Sequence, residues 1–87
     1  MTHEERRELK VLSDAESPPI LGRYYSFKKE PELAATARRL GREPAPRLIE
    51  VSEVSLPTGP AVYLAKLREA GQARLRELRL KLISEQQ

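Results

Sequence analysis

Apolar residues recur along this chain in several runs, and the last run is the longest. Over residues 58–87, Leu64, Leu67, Gly71, Leu75, Leu78 and Leu82 are separated by 3, 4, 4, 3 and 4 residues. That spacing closes on an eleven-residue repeat, which a nearly straight α-helix follows with one narrow stripe. The pattern therefore predicts a long amphipathic C-terminal helix over 58–87, with Thr58 or Gly59 as cap and Pro60 in its first turn. Leu80 and Ile83 lie off the stripe and continue a second apolar face made of Val62, Ala65 and Ala73. Gly71 sits inside the stripe, where glycine costs about 1 kcal/mol relative to alanine, so either another backbone approaches closely there or the helix kinks.

The earlier segments are shorter. Thr2 and Glu5 have capping-box spacing, and they predict a peripheral helix over 3–13 whose apolar side is Leu9 and Leu12. Residues 14–19, ending in Pro18 and Pro19, read as a linker. Residues 20–27 are rich in β-formers, with Tyr24 and Ser26 on one side and Tyr25 and Phe27 on the other, and predict a strand bulged at Gly22. Pro31 and Gly41 bracket a helix over 32–40 that carries Leu33, Ala37 and Leu40 on one face. After the proline-containing loop 42–46, alternation of Ile49 and Val51 with Glu50 and Ser52 predicts a second strand over 47–54. The expected class is α+β: a small two-stranded sheet, parallel through a right-handed crossover, with short helices and the long C-terminal helix. The domain plan is an N-terminal helix and Pro-rich linker over 1–19, a β-α-β body over 20–57, and the helix over 58–87.

Composition narrows the chemistry. A chain of 87 residues with no cysteine and one histidine has no disulfide or thiolate site to stabilise it, so neither a metal nor a cofactor is expected. His3 has no partner at triad-like placement, and Glu50 and Glu53 fall on opposite sides of a strand, so no enzymatic role is expected. No stretch approaches the roughly 20 apolar residues of a membrane span and the first residues lack an apolar leader, which points to a cytoplasmic protein without membrane contact. The net charge of +3 is unevenly placed: residues 1–57 hold ten basic and ten acidic side chains, whereas 58–87 hold six and three.

These features point first to a non-enzymatic protein–protein interaction module, an assembly subunit, adaptor or small inhibitor, docking through its C-terminal helix. Its contact residues would be Leu64, Leu67, Gly71, Leu75, Leu78 and Leu82, with Arg68, Arg76 and Arg79 steering an acidic protein partner or a second copy. No small-molecule ligand is expected. The alternative is a nucleic-acid-binding accessory protein that uses the basic face of the same helix, Arg74, Arg76, Arg79 and Lys81, together with Lys28 and Lys29. Arg23-Tyr24-Tyr25-Ser26-Phe27-Lys28-Lys29 interleaves aromatics with cations, the ingredients of a single-strand stacking platform. A chain without tryptophan also needs those rings, with Tyr63, for its core.

Overall fold

Leu64 and Leu67, three residues apart as on a helix, are neighbours on a strand in the computed structural model, which describes residues 1–16, 23–42 and 47–86. The element order is α1 (His3–Glu16), β1 (Arg23–Ser26), α2 (Pro31–Arg42), β2 (Ile49–Leu56), β3 (Gly59–Leu67) and α3 (Glu69–Glu85). The fold is α+β, but its sheet has three strands in the order β1-β3-β2, and both pairings are antiparallel. The expected two-stranded parallel sheet and the helix over 58–87 are both corrected by β3, which takes the first third of that span.

The cause is visible in the register. Pro57 and Thr58 form a tight turn, Leu56 pairs with Gly59, and Gly59 adopts φ of 124°, a conformation open to glycine. Residues read as a helix cap are thus a hairpin. Val51 pairs with Leu64 but Glu50 pairs with Lys66, leaving Ala65 as the extra residue of a β-bulge. A bulge shifts the pleat by one position, so Val62, Leu64 and Leu67 all face inward and are buried. The three-residue gap that looks helical is a strand with one residue inserted.

α1 and α2 pack on the inner face of the sheet, and α3 packs chiefly against α1. The core joins Val11, Leu12 and Ala15 of α1, Ala34, Ala37 and Leu40 of α2, and Leu75 and Leu78 of α3 to Tyr25, Ile49, Val62, Leu64 and Leu67. Each fully buried leucine contributes about 2–3 kcal/mol of transfer free energy. α1 is therefore central, not peripheral, because a three-stranded sheet is wide enough to need it. Its capping box forms as expected: Glu5 N–H donates to Thr2 Oγ1 at 3.0 Å and Thr2 N–H to Glu5 Oε1 at 3.1 Å.

At the start of α3, Arg68 N–H donates to Leu48 C=O at 3.0 Å, and Gly71 lies directly against that carbonyl. The close approach anticipated at Gly71 is thus to the chain's own β2 lead-in. Glu50 and Glu53 take opposite faces: Glu50 meets Arg68 at 2.6 Å, and the inward Glu53 is held by Arg38 at 2.5 Å and Arg42 at 2.9 Å. Residues 14–16, expected in the linker, instead form the last turn of α1, and Arg42, expected in the loop, ends α2. The bulge expected at Gly22, the linker residues 17–19 and the loop residues 43–46 lie outside the described residues. No helix among the described residues is long and apolar enough to cross a membrane.

Candidate nucleic-acid interface

Most of the basic residues of α3 are engaged within the molecule. α1 and α3 run antiparallel, joined by Arg74 to Glu8 (3.1 Å), Lys81 to Glu5, and the N-terminal amine to Glu85. Arg79 grips both oxygens of Glu16 at 3.0 and 3.1 Å. Lys81 holds the Glu5 carboxyl at about 2, helped by the Thr2 N–H, and Arg79 likewise lowers Glu16 while Glu16 raises Arg79. Arg74 also meets Glu77 at 3.0 Å, so the i,i+4 pair of Glu77 with Lys81 that the spacing allows is not formed. Arg76 alone among these helix cations has no carboxylate partner among the described residues. A deeper knot ties three helices together: the buried Glu8 accepts from Arg39 of α2 at 2.9 Å as well as from Arg74.

The leucines of the C-terminal pattern are likewise turned inward. Leu64, Leu67, Leu75 and Leu78 are buried in the core, Gly71 is buried against Leu48, and Leu82 is half-buried. What α3 presents outward is its other apolar face, with Leu80 62% and Ile83 52% exposed. Arg68, expected to steer a partner, is bound to Glu50.

The sheet offers a different surface. Tyr25 points into the core, where its hydroxyl donates to the Asp14 carboxylate and Arg23 Nε lies 3.2 Å from the same carboxylate. Burial first, and then Asp14, pushes the Tyr25 phenol well above its ordinary pKa, so it stays a neutral donor. The Arg23 guanidinium also lies 5.3 Å from the Tyr25 ring centre. Because side chains alternate along a strand, anchoring Tyr25 inside places Tyr24 outside. Tyr24 pairs across with Tyr63 of β3, and the two rings sit 5.2 Å apart, tilted by 54°.

No described element covers this outer face, and Tyr24 is 49% exposed. Ser26, Ser52, Val54 and Leu56 share it by register, and Tyr63 is half-buried. Cations stand at both ends of the aromatic pair. At one end Ser26 Oγ accepts the backbone N–H groups of Lys28 (3.2 Å) and Lys29 (3.4 Å), which fixes the turn that carries both lysines. At the other end is Lys66, across from Glu50. Among the described residues none of these three lysines has a carboxylate partner, and Glu50 is neutralised by Arg68. The structure therefore joins the expected residues Lys28 and Lys29 to Tyr24, and adds Tyr63 and Lys66 from a strand that helical spacing concealed.

Comparison of the chain with protein-family models, with curated proteins and with solved structures finds no match.

Proposed function

We propose that this protein is a non-enzymatic, cytoplasmic accessory protein that binds single-stranded nucleic acid on the open face of its sheet. The observation that carries the proposal is the Tyr24–Tyr63 pair on that face, with unpaired lysines at either end. Bases stack on the two rings, and Lys28, Lys29 and Lys66 meet the phosphates on each side. Stacking supplies about 1–3 kcal/mol per base with little sequence preference. Three phosphate contacts give a salt dependence of log K on log salt of about −2. On the helix, Arg74, Arg79 and Lys81 are bound to carboxylates, which favours the sheet over the helix as the nucleic-acid surface.

Fluorescence anisotropy with a labelled octanucleotide tests it. Replacing Tyr24 or Tyr63 by alanine should weaken binding by about 5- to 150-fold, the equivalent of one lost stack. Neutralising Lys28, Lys29 and Lys66 together should flatten the salt slope. Absence of binding, or binding indifferent to both tyrosines, would refute the proposal.

A protein partner is the second reading, favoured by the exposed Leu80 and Ile83 on the outer side of α3. That pair, not the buried leucines, would make the contact. With a second copy of this chain as the partner, sedimentation of wild type beside a Leu80→Ser/Ile83→Ser variant decides: association that the variant loses supports this reading, and a monomer in both removes it.

A further inference from the structure

Between the C-terminal end of α1, the end of β3 and the first turns of α3 lies a cleft of ≈ 480 Å³, within the usual range of ligand pockets. Its polar lining is Glu16, Lys66, Gln72, Arg76 and Arg79. Glu16 and Arg79 neutralise each other through their two-pronged bond, which fixes the Arg79 guanidinium at 3.0 and 3.1 Å from the carboxylate. Lys66 and Arg76 have no carboxylate partner among the described residues. The cleft therefore holds a surplus of two positive charges, with the Gln72 amide beside them as a further donor.

Lys66 also connects this cleft to the sheet. It lies three residues beyond Tyr63 on β3, opposite Glu50, and its side chain lines the cleft. Lys66 thus belongs both to the open face, by register, and to the lining of the cleft.

We propose that this cleft seats the terminal phosphate of the bound single strand. A phosphate monoester carries a charge of about −1.5 to −2 at neutral pH, whereas each internal diester carries one negative charge. Two unpaired cations match the monoester, and guanidinium is the group best shaped to grip its oxygens. The inference takes its ligand from the single-strand reading and shares Lys66 with it, but Arg76 and Gln72 belong to the cleft alone.

The test uses the full chain and four titrants at fixed ionic strength: tetranucleotides with a 5′-phosphate, a 3′-phosphate or hydroxyls at both ends, and inorganic phosphate. NMR shift titrations are run on wild type and on Arg76→Ala. Arg76 is exposed and unpaired, so its removal leaves the fold intact. One phosphorylated tetramer should bind about tenfold more tightly than the hydroxyl-ended one, with shifts at Gln72 and Arg76. Arg76→Ala should abolish that gain and leave the hydroxyl-ended affinity within about twofold. Inorganic phosphate should shift the same resonances in wild type only. Equal affinity for all three tetramers, or a gain that survives Arg76→Ala, overturns the cleft. The two proposals fail separately. Hydroxyl-ended strand binding through the tyrosines without a phosphate gain removes the cleft alone. Phosphorylated strand binding that needs Arg76 but neither tyrosine removes the sheet reading alone.

Discussion

Gly71→Ala is the substitution for which a helix-only reading and the fold predict opposite signs. In an isolated helix, alanine is favoured over glycine by about 1 kcal/mol, and the variant should be more stable. Here a Cβ on residue 71 would overlap the Leu48 carbonyl oxygen and stand 2.7 Å from Leu67 Cδ1 and 2.9 Å from the Leu48 carbonyl carbon. The Leu67 methyl can turn aside, but the Leu48 backbone cannot, because its carbonyl accepts the Arg68 N–H at 3.0 Å and its chain leads into β2. Relief requires the first turn of α3 to move away from Leu48. Overpacking of this kind costs about 1–3 kcal/mol, and loss of the Arg68–Leu48 bond adds about 1 kcal/mol. Set against the propensity gain, the net is a destabilisation of about 1–3 kcal/mol, or roughly 5–20 °C in Tm for a domain of this size. Urea unfolding followed by far-UV circular dichroism measures it. A Gly71→Ala variant more stable than wild type would show that α3 does not dock on Leu48, and the placement of β3 would fall with it.

Three further outcomes follow from the same packing. Leu78→Ala should cost about 2–5 kcal/mol in urea unfolding, whereas Leu80→Ala, two positions on but facing solvent, should stay within about 0.5 kcal/mol. Glu8→Ala, which strips the buried acceptor of Arg39 and Arg74, should cost about 1–3 kcal/mol, while Glu77→Ala at the exposed rim of the same network should be near neutral. Glu4, Glu5 and Glu16 have folded pKa values below the ordinary 4.5, Glu5 at about 2, so the folded state binds fewer protons than the unfolded state in that window. The stability they contribute is complete above pH 4.5 and declines as pH falls toward 2. Thermal melts between pH 7 and pH 2 should show this loss, and it should shrink in Lys81→Ala; a Tm that rises on acidification would contradict the α1–α3 ion pairs.

Local signals are legible in the sequence where they are self-contained. Thr2 and Glu5 cap α1 because both partners lie within one turn, and Pro31 opens α2 as its fixed φ dictates, although α2 runs on through Gly41 to Arg42. β3 was hidden because its bulge at Ala65 separates Leu64 from Leu67 by three residues, and α3 then continues the same rhythm through Gly71, Leu75 and Leu78. Two different geometries wrote one helical pattern. The candidate site was half visible: the alternation in 23–29 separates Tyr24 from Tyr25, but nothing local says that Tyr63, thirty-nine positions onward, is its neighbour. Pairing of Arg74, Arg79 and Lys81 with α1 was equally out of reach, since it depends on helices at opposite ends of the chain.

The tyrosines themselves report on the proposed surface. The chain has three tyrosines and no tryptophan, and Tyr25 is buried against Asp14, so a change in emission on adding an oligonucleotide reads Tyr24 and Tyr63. Titration of wild type with a single-stranded octanucleotide at low salt should quench that emission saturably, and sodium chloride should reverse it. A Tyr24→Leu/Tyr63→Leu variant should show no saturable quenching. Emission in wild type that stays constant throughout the titration would contradict base stacking on the open face of the sheet.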